Sequence, residues 1–302
     1  MSDLPAKAFA PNEDSKAGFV FALMAYVIWG FLPLFMKALA HVSPAEVISH
    51  RVIWSLPVAG AVLIALGRTA DLRVAIRSPK MLGMAAMTAT LISMNWGLYV
   101  WAIGAGYALD TALGYYINPL FSVFLGAVLL GERLKPAQMV AMGLALLAVG
   151  LLTWDAGKLP WISLGLTVTW GFYAYLKKSL PLGPNQGFFL EILILTPAAL
   201  AYIGYLGWSG TGHFMVGVKA DTLLLLSCGV VTATPLIFYA NGAKKLRLST
   251  IAMMQYIAPT MIFALAIFVF HEPFAPIRMV AFAMIWMALV IYTASMLRGA
   301  KA

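Results

Sequence analysis

The apolar residues of this chain come in unbroken blocks, each about as long as the 20 residues a helix needs to cross a bilayer. They read as ten spans, at residues 17–40, 44–66, 80–103, 110–130, 136–153, 160–178, 185–207, 220–242, 249–270 and 274–297. The breaks between them are short and hold Gly, Pro and charges, as in Gly67 to Pro79 and Gly131 to Pro136. Continuous runs such as Val140 to Leu152 argue against a membrane β-barrel, whose strands would alternate apolar and polar residues. Only 10% of the 302 residues are charged, too few to cover a soluble surface. Residues 1–16 are polar and form an N-terminal tail, and 298–302 form a C-terminal one. The first apolar run is too long for a signal-peptide core and reads as a permanent span.

Net charge is +9, and its distribution explains it. With the N-terminus in the cytoplasm, fifteen of the Lys and Arg residues fall on cytoplasmic segments, from Lys7 and Lys16 through Arg68 and Arg133 to Lys177, Lys244 and Arg298. Lys158, Lys219 and Arg278 fall on the opposite side. That bias follows the positive-inside rule and places both termini in the cytoplasm, with no nucleic-acid partner needed to explain the basic composition. The lone Cys228 can form neither an intrachain disulfide nor a thiolate metal site.

The chain also repeats itself. Trp29-Gly30-Phe31 matches Trp170-Gly171-Phe172 at an offset of 141. At an offset of 140, Arg51 meets Glu191, Pro57 meets Pro197, and Tyr99 meets Tyr239. The same register pairs Tyr116 with Tyr256, Pro119 with Pro259 and Glu132 with Glu272. Each copy holds five spans, residues 17–153 and 160–297. Because five is odd, the second copy enters the membrane from the opposite face. The expected fold is an all-α integral membrane protein of ten transmembrane helices, two inverted five-helix repeats around a central cavity. Inverted repeats are a transporter architecture with the substrate site at the repeat interface.

Several runs carry a family resemblance. They are Ala25 to Phe31, His50-Arg51-Val52-Ile53-Trp54-Ser55, Leu113 to Pro119, Leu130-Gly131-Glu132-Arg133, Leu246 to Thr250 and Gln255 to Pro259. Together they resemble the RarD family, chloramphenicol-sensitivity proteins of the drug/metabolite transporter superfamily built of EamA-type repeats. The resemblance spans about residues 17–297 and implies an inner-membrane permease that exports small metabolites or drugs. Superfamily relatives export amino acids, or carry nucleotide sugars or triose phosphates. Ala258 stands where the family pattern expects glycine.

Ionisable groups inside a membrane are functional candidates because each costs about 2.5–3.5 kcal/mol to insert. Arg51 lies about seven residues into its span, roughly 10 Å deep. It is expected to bind a substrate carboxylate, with His50 beside it as a proton carrier. The plainer alternatives are that Arg51 snorkels outward or pairs with Glu46. Glu191, at the repeat-equivalent position, is a candidate for coupling or gating with Arg51, through a direct pair or in alternation. Lys37 reads as a snorkelling anchor.

The remaining substrate-binding candidates are Trp29, Asn95, Trp96, Tyr99, Tyr115, Tyr116, Asn118, Tyr239, Gln255 and Tyr256. Their aromatic faces and polar tips suit an amphipathic solute, though some belong to interfacial belts. Pro57, Pro119, Pro197 and Pro259 are repeat-paired candidate hinges, equally able to be static kinks. The four histidines lack metal-ligand spacing, and no phosphate-binding loop or nucleophile elbow is present, so no cofactor or metal is expected. The expected partners are a small-molecule substrate and the lipid bilayer, with protons as a possible coupling ion. The competing reading is an intramembrane enzyme acting on lipid-linked substrates, with His50 and either Glu46 or Glu191 as acid–base groups.

Overall fold

A computed structural model describes residues 15–130, 136–216, 219–243, 245–246 and 254–299. The N-terminal tail, the Gly131-Glu132-Arg133 motif, most of Leu246 to Thr250 and the start of the ninth span lie outside the described residues. All regular structure among those described is helical: α1 (Lys16–Ala38), α2 (Pro44–Ala65), α3 (Ala70–Ile76), α4 (Pro79–Gly104), α5 (Ala108–Leu130), α6 (Pro136–Ala156), α7 (Trp161–Ser179), α8 (Pro184–Ser209), α9 (Lys219–Ala243), α10 (Ile257–Phe268) and α11 (Pro276–Gly299).

Local chemistry sets the helix ends. Ser15, Ser43 and Ser78 each accept a hydrogen bond from the backbone N–H three residues on, at Gly18, Glu46 and Met81. Pro44, Pro79 and Pro184 sit in the first turn, where a missing N–H removes no helical bond. Gly210 ends α8 at φ 69°, a left-handed conformation that suits glycine. The seven-residue α3 falls in a stretch that reads as a loop in sequence, being too short to show a helical period.

Among the described residues, seven helices, α1, α2, α5, α6, α8, α9 and α11, are long and apolar enough to cross a membrane. Of the ten expected spans, α4, α7 and α10 fall outside that class. The first two, of 26 and 19 residues, carry polar and aromatic residues such as Thr88, Asn95 and Tyr99 or Thr167, Tyr173 and Lys177. The third is described for only 12 residues.

Helix α1 packs on α9 and α10, while α7 packs on α4 and α5. Helix α2 lies against α4, α8 and α9, and α6 against α11. Glycines allow close approaches between these helices. A Cβ on Gly30 of α1 would strike Met261 of α10, and one on Gly171 of α7 would strike Phe121 of α5. A Cβ on Gly229 of α9 would collide with the Trp54 carbonyl of α2. Small residues at such crossings let helices gain packing contacts in lipid, where lateral association has little hydrophobic drive. Large apolar side chains such as Leu146, Leu147 and Val290 face outward.

Candidate functional site

Four helices bring polar side chains to Arg51. Its own helix, α2, is surrounded, so Ser49, His50, Arg51 and Ser55 are all buried. The Arg51 Nε donates to Thr232 Oγ1 of α9 at 3.0 Å. Its guanidinium carbon stands 4.4 Å from the centre of the Trp96 ring of α4, a cation–π contact. Tyr99 of α4, Tyr115 of α5 and Cys228 of α9 lie close enough to interact with it electrostatically. Arg51 Nη1 is buried and has no hydrogen-bond partner among the described residues.

The same is true of other atoms among the expected site residues. His50 Nε2, Asn95 Oδ1, Tyr99 OH and Asn118 Oδ1 are buried without partners among the described residues. Unsatisfied buried polar atoms are uncommon in folded proteins, and each calls for a partner that the fold itself does not supply. On α4, Asn95 and Tyr99 are one turn apart and so share a face. The Asn95 Nδ2 donates to Leu166 O and Thr169 Oγ1 of α7, at 3.0 and 2.9 Å, which orients its carbonyl oxygen. Trp54 Nε1 donates to His50 Nδ1 at 2.9 Å, so the network assigns the ring proton to Nε2. The Tyr99 and Tyr115 rings lie 5.9 Å apart.

Other expected residues sit elsewhere. Trp29 and Tyr239 join Tyr26 in an aromatic cluster between α1 and α9, with centroids 5.6–6.0 Å apart. Tyr116 OH lies 2.7 Å from Thr260 Oγ1 of α10, and its ring meets Phe282 and Trp286 of α11. Tyr256, just before α10, packs on the main core, and Gln255 precedes it, half-buried. Lys37 Nζ lies 3.4 Å from the carbonyls of Ile103 and Gly104, at the end of α4. Pro57, Pro119 and Pro197 interrupt the interiors of α2, α5 and α8. Pro259 differs: it stands in the first turn of α10 as described, where it removes no helical bond.

Neither intramembrane carboxylate meets Arg51. Glu191 Oε1 accepts from Lys177 Nζ of α7 at 2.6 Å, and Oε2 from Tyr173 OH at 3.3 Å. Glu46 is bonded to His213. Thr232, Lys177, Tyr173 and His213 were not among the residues the sequence singled out. Thr234 stands out in sequence as readily as Thr232, and Lys177 passes for a loop cation. A separate cavity of about 150 Å³, lined by Tyr107, Asp110, Lys158, Trp161 and Arg278, lies where α5, α6, α7 and α11 meet.

Comparison with known proteins adds to this geometry. The EamA-like transporter family model matches residues 16–154. Protein RarD of Streptomyces exfoliatus is 40% identical over 292 residues, covering 97% of this chain and 92% of that protein. An uncharacterized transporter of Vibrio cholerae is also 40% identical, covering 96% of both. The chloramphenicol-sensitive protein RarD of Pseudomonas aeruginosa is 30% identical, covering 92% and 93%. A crystal structure at 18% identity shares the fold, with a TM-score of 0.60 over 91% of this chain and 96% of that one.

Proposed function

The chain belongs to the RarD family of EamA-like transporters and is a multi-pass membrane transporter, and from that premise we propose that it exports small amphipathic solutes by alternating access. The solutes are amino-acid-like or chloramphenicol-like, and transport is secondary-active or facilitative. The observation that carries this reading is the Arg51 guanidinium, held on the Trp96 face with Nη1 unpartnered. An oxygen-bearing anionic or strongly polar group of a solute would accept from Nη1. The solute's apolar body would lie on aromatic faces, and its own donors would meet Asn95 Oδ1 and Asn118 Oδ1. Charge-assisted bonds of this kind are the strong ones in a site of low dielectric.

Two inverted five-helix repeats, ten helices in all, fit the packing. Gly30 faces Met261 and Gly171 faces Phe121, so both partners are displaced together by one repeat, 141 and 140 residues. Rocking of one repeat against the other would use the proline-interrupted α2, α5 and α8. The protein sits in the bacterial inner membrane with both termini cytoplasmic, as the Lys and Arg distribution favours. The enzyme alternative has less support, because Glu46 and Glu191 hydrogen-bond other residues and neither bonds His50.

Flux in proteoliposomes tests the reading, with chloramphenicol and a panel of amino acids, with and without an imposed pH gradient. Protein-dependent flux of at least one solute is expected, and gradient dependence would identify protons as the coupling ion. A flat response across the panel would count against transport of this solute class.

A further inference from the structure

We propose that residues 211–216, between α8 and α9, are a plug latched shut by the Glu46 carboxylate, and that its release opens the Arg51 site to the extracytoplasmic side. The inference rests on the transport reading of that site and names its gate. Ser43 and Glu46 have the spacing of a capping box, in which the glutamate normally folds back on its own helix. Ser43 Oγ does accept from Glu46 N, at 3.2 Å. The Glu46 side chain, only 2% exposed, instead reaches to another element. Its Oε1 accepts from the His213 backbone N–H at 2.7 Å, and its Oε2 lies 2.9 Å from His213 Nδ1. The neighbouring Gly212 packs tightly on the end of α8, where a Cβ would lie 3.2 Å from Leu206 Cβ.

The next residue is the plug itself. Phe214 turns inward onto α2, with its ring 4.7 Å from His50 and 5.8 Å from Trp54, and packs against the core cluster that includes Cys228. Met215 then reverses the chain at φ 60°, unusual for a residue with a side chain, and its N–H donates to Thr222 Oγ1 at 3.0 Å. A second contact reinforces the first. The His41 ring meets His213 edge-on at 5.8 Å, and His41 Nε2 lies 3.0 Å from Asp221 Oδ2. Two hydrogen bonds from Glu46 of α2 thus hold a loop of the second repeat against α2, next to where α2 packs on α9. At the repeat-equivalent position of Glu46 stands the neutral Gln186, so this carboxylate latch belongs to one end of the molecule. Any movement of α2 away from the α8–α9 loop must break it first.

The native Cys228 reports on this step without any knowledge of the substrate. It is the only cysteine, it is fully buried, and it neighbours Arg51. Its alkylation by a membrane-impermeant maleimide added to whole cells should be very slow in the wild type. Glu46→Ala should raise the rate about ten- to a hundred-fold, as expected for losing hydrogen bonds to a charged group. Glu46→Gln, which keeps one acceptor, should fall between, and Phe214→Ala should raise the rate with the latch intact. Size-exclusion profiles of the purified variants identify any that fail to fold. Unchanged labelling in folded Glu46→Ala and Phe214→Ala would overturn the proposal, as would labelling only from the cytoplasmic face in inverted vesicles. Raised labelling together with no flux across the solute panel would uphold the plug and overturn the proposed solute class.

Discussion

Glu191 Oε1 lies 2.6 Å from Lys177 Nζ, and this pair leaves the repeat-related Arg51 without a carboxylate partner among the described residues. The two ends of the pair are unequal. The Glu191 side chain is 1% exposed and that of Lys177 is 20% exposed. Removing the lysine strands a buried carboxylate, whereas removing the carboxylate leaves an ammonium that can turn toward water.

Lys177→Met is therefore expected to destabilise the protein by about 3–5 kcal/mol, and Glu191→Gln by about 1–2 kcal/mol. The double variant should recover most of the loss, because it leaves no unpaired charge. Thermal unfolding in detergent checks the order. Equal losses in the two single variants would contradict the asymmetry.

Much of this was legible in the sequence, and the rest was not for identifiable reasons. Most helix bounds fall within two or three residues of the sequence reading, because apolar block length and the Ser-Pro starts at residues 43–44 and 78–79 mark them directly. Arg51 stands out because an intramembrane cation is rare. Its contacts do not, since Thr232 reaches it only where Gly229 lets α9 approach the α2 backbone at Trp54. His213 and Phe214 lie in a short polar break with no periodicity, so nothing in their spacing points to Glu46, 167 residues away.

Close helix approaches should differ in their tolerance of a methyl group. Gly229→Ala pushes a Cβ into the backbone of Trp54, which cannot move without the helix, and should cost about 3 kcal/mol or more. Gly30→Ala meets Met261, whose Sδ and Cε can turn aside but whose Cβ, at 2.7 Å, moves only with α10, and should cost less, about 2 kcal/mol. Comparison of the two melting temperatures checks this, and a more damaging Gly30→Ala would contradict it.

Glu272, in the loop between α10 and α11, accepts from the backbone N–H groups of Ala108 and Leu109 at 2.7 and 2.9 Å, capping α5. Burial pushes its carboxyl above the usual range, against the pull of those two N–H groups. A raised folded-state pKa means the native state holds the proton more tightly than the unfolded chain. The contribution of this group to stability is then present below the unfolded pKa and lost as pH rises through the folded one. The melting temperature of the wild type relative to Glu272→Gln should rise as pH falls from 7 toward 5. A relative fall would mean that the ionised cap dominates.

The most direct measurement of the central claim, that Arg51 receives an anionic oxygen of the solute, is flux of acid and amide pairs in proteoliposomes. Phenylalanine with phenylalaninamide and benzoate with benzamide serve, in wild-type and Arg51→Gln protein. A charge-assisted bond predicts that the wild type carries at least one acid about tenfold or more faster than its amide, and that Arg51→Gln abolishes the preference. Equal flux of acid and amide in the wild type, or an acid preference that survives in Arg51→Gln, would contradict the account.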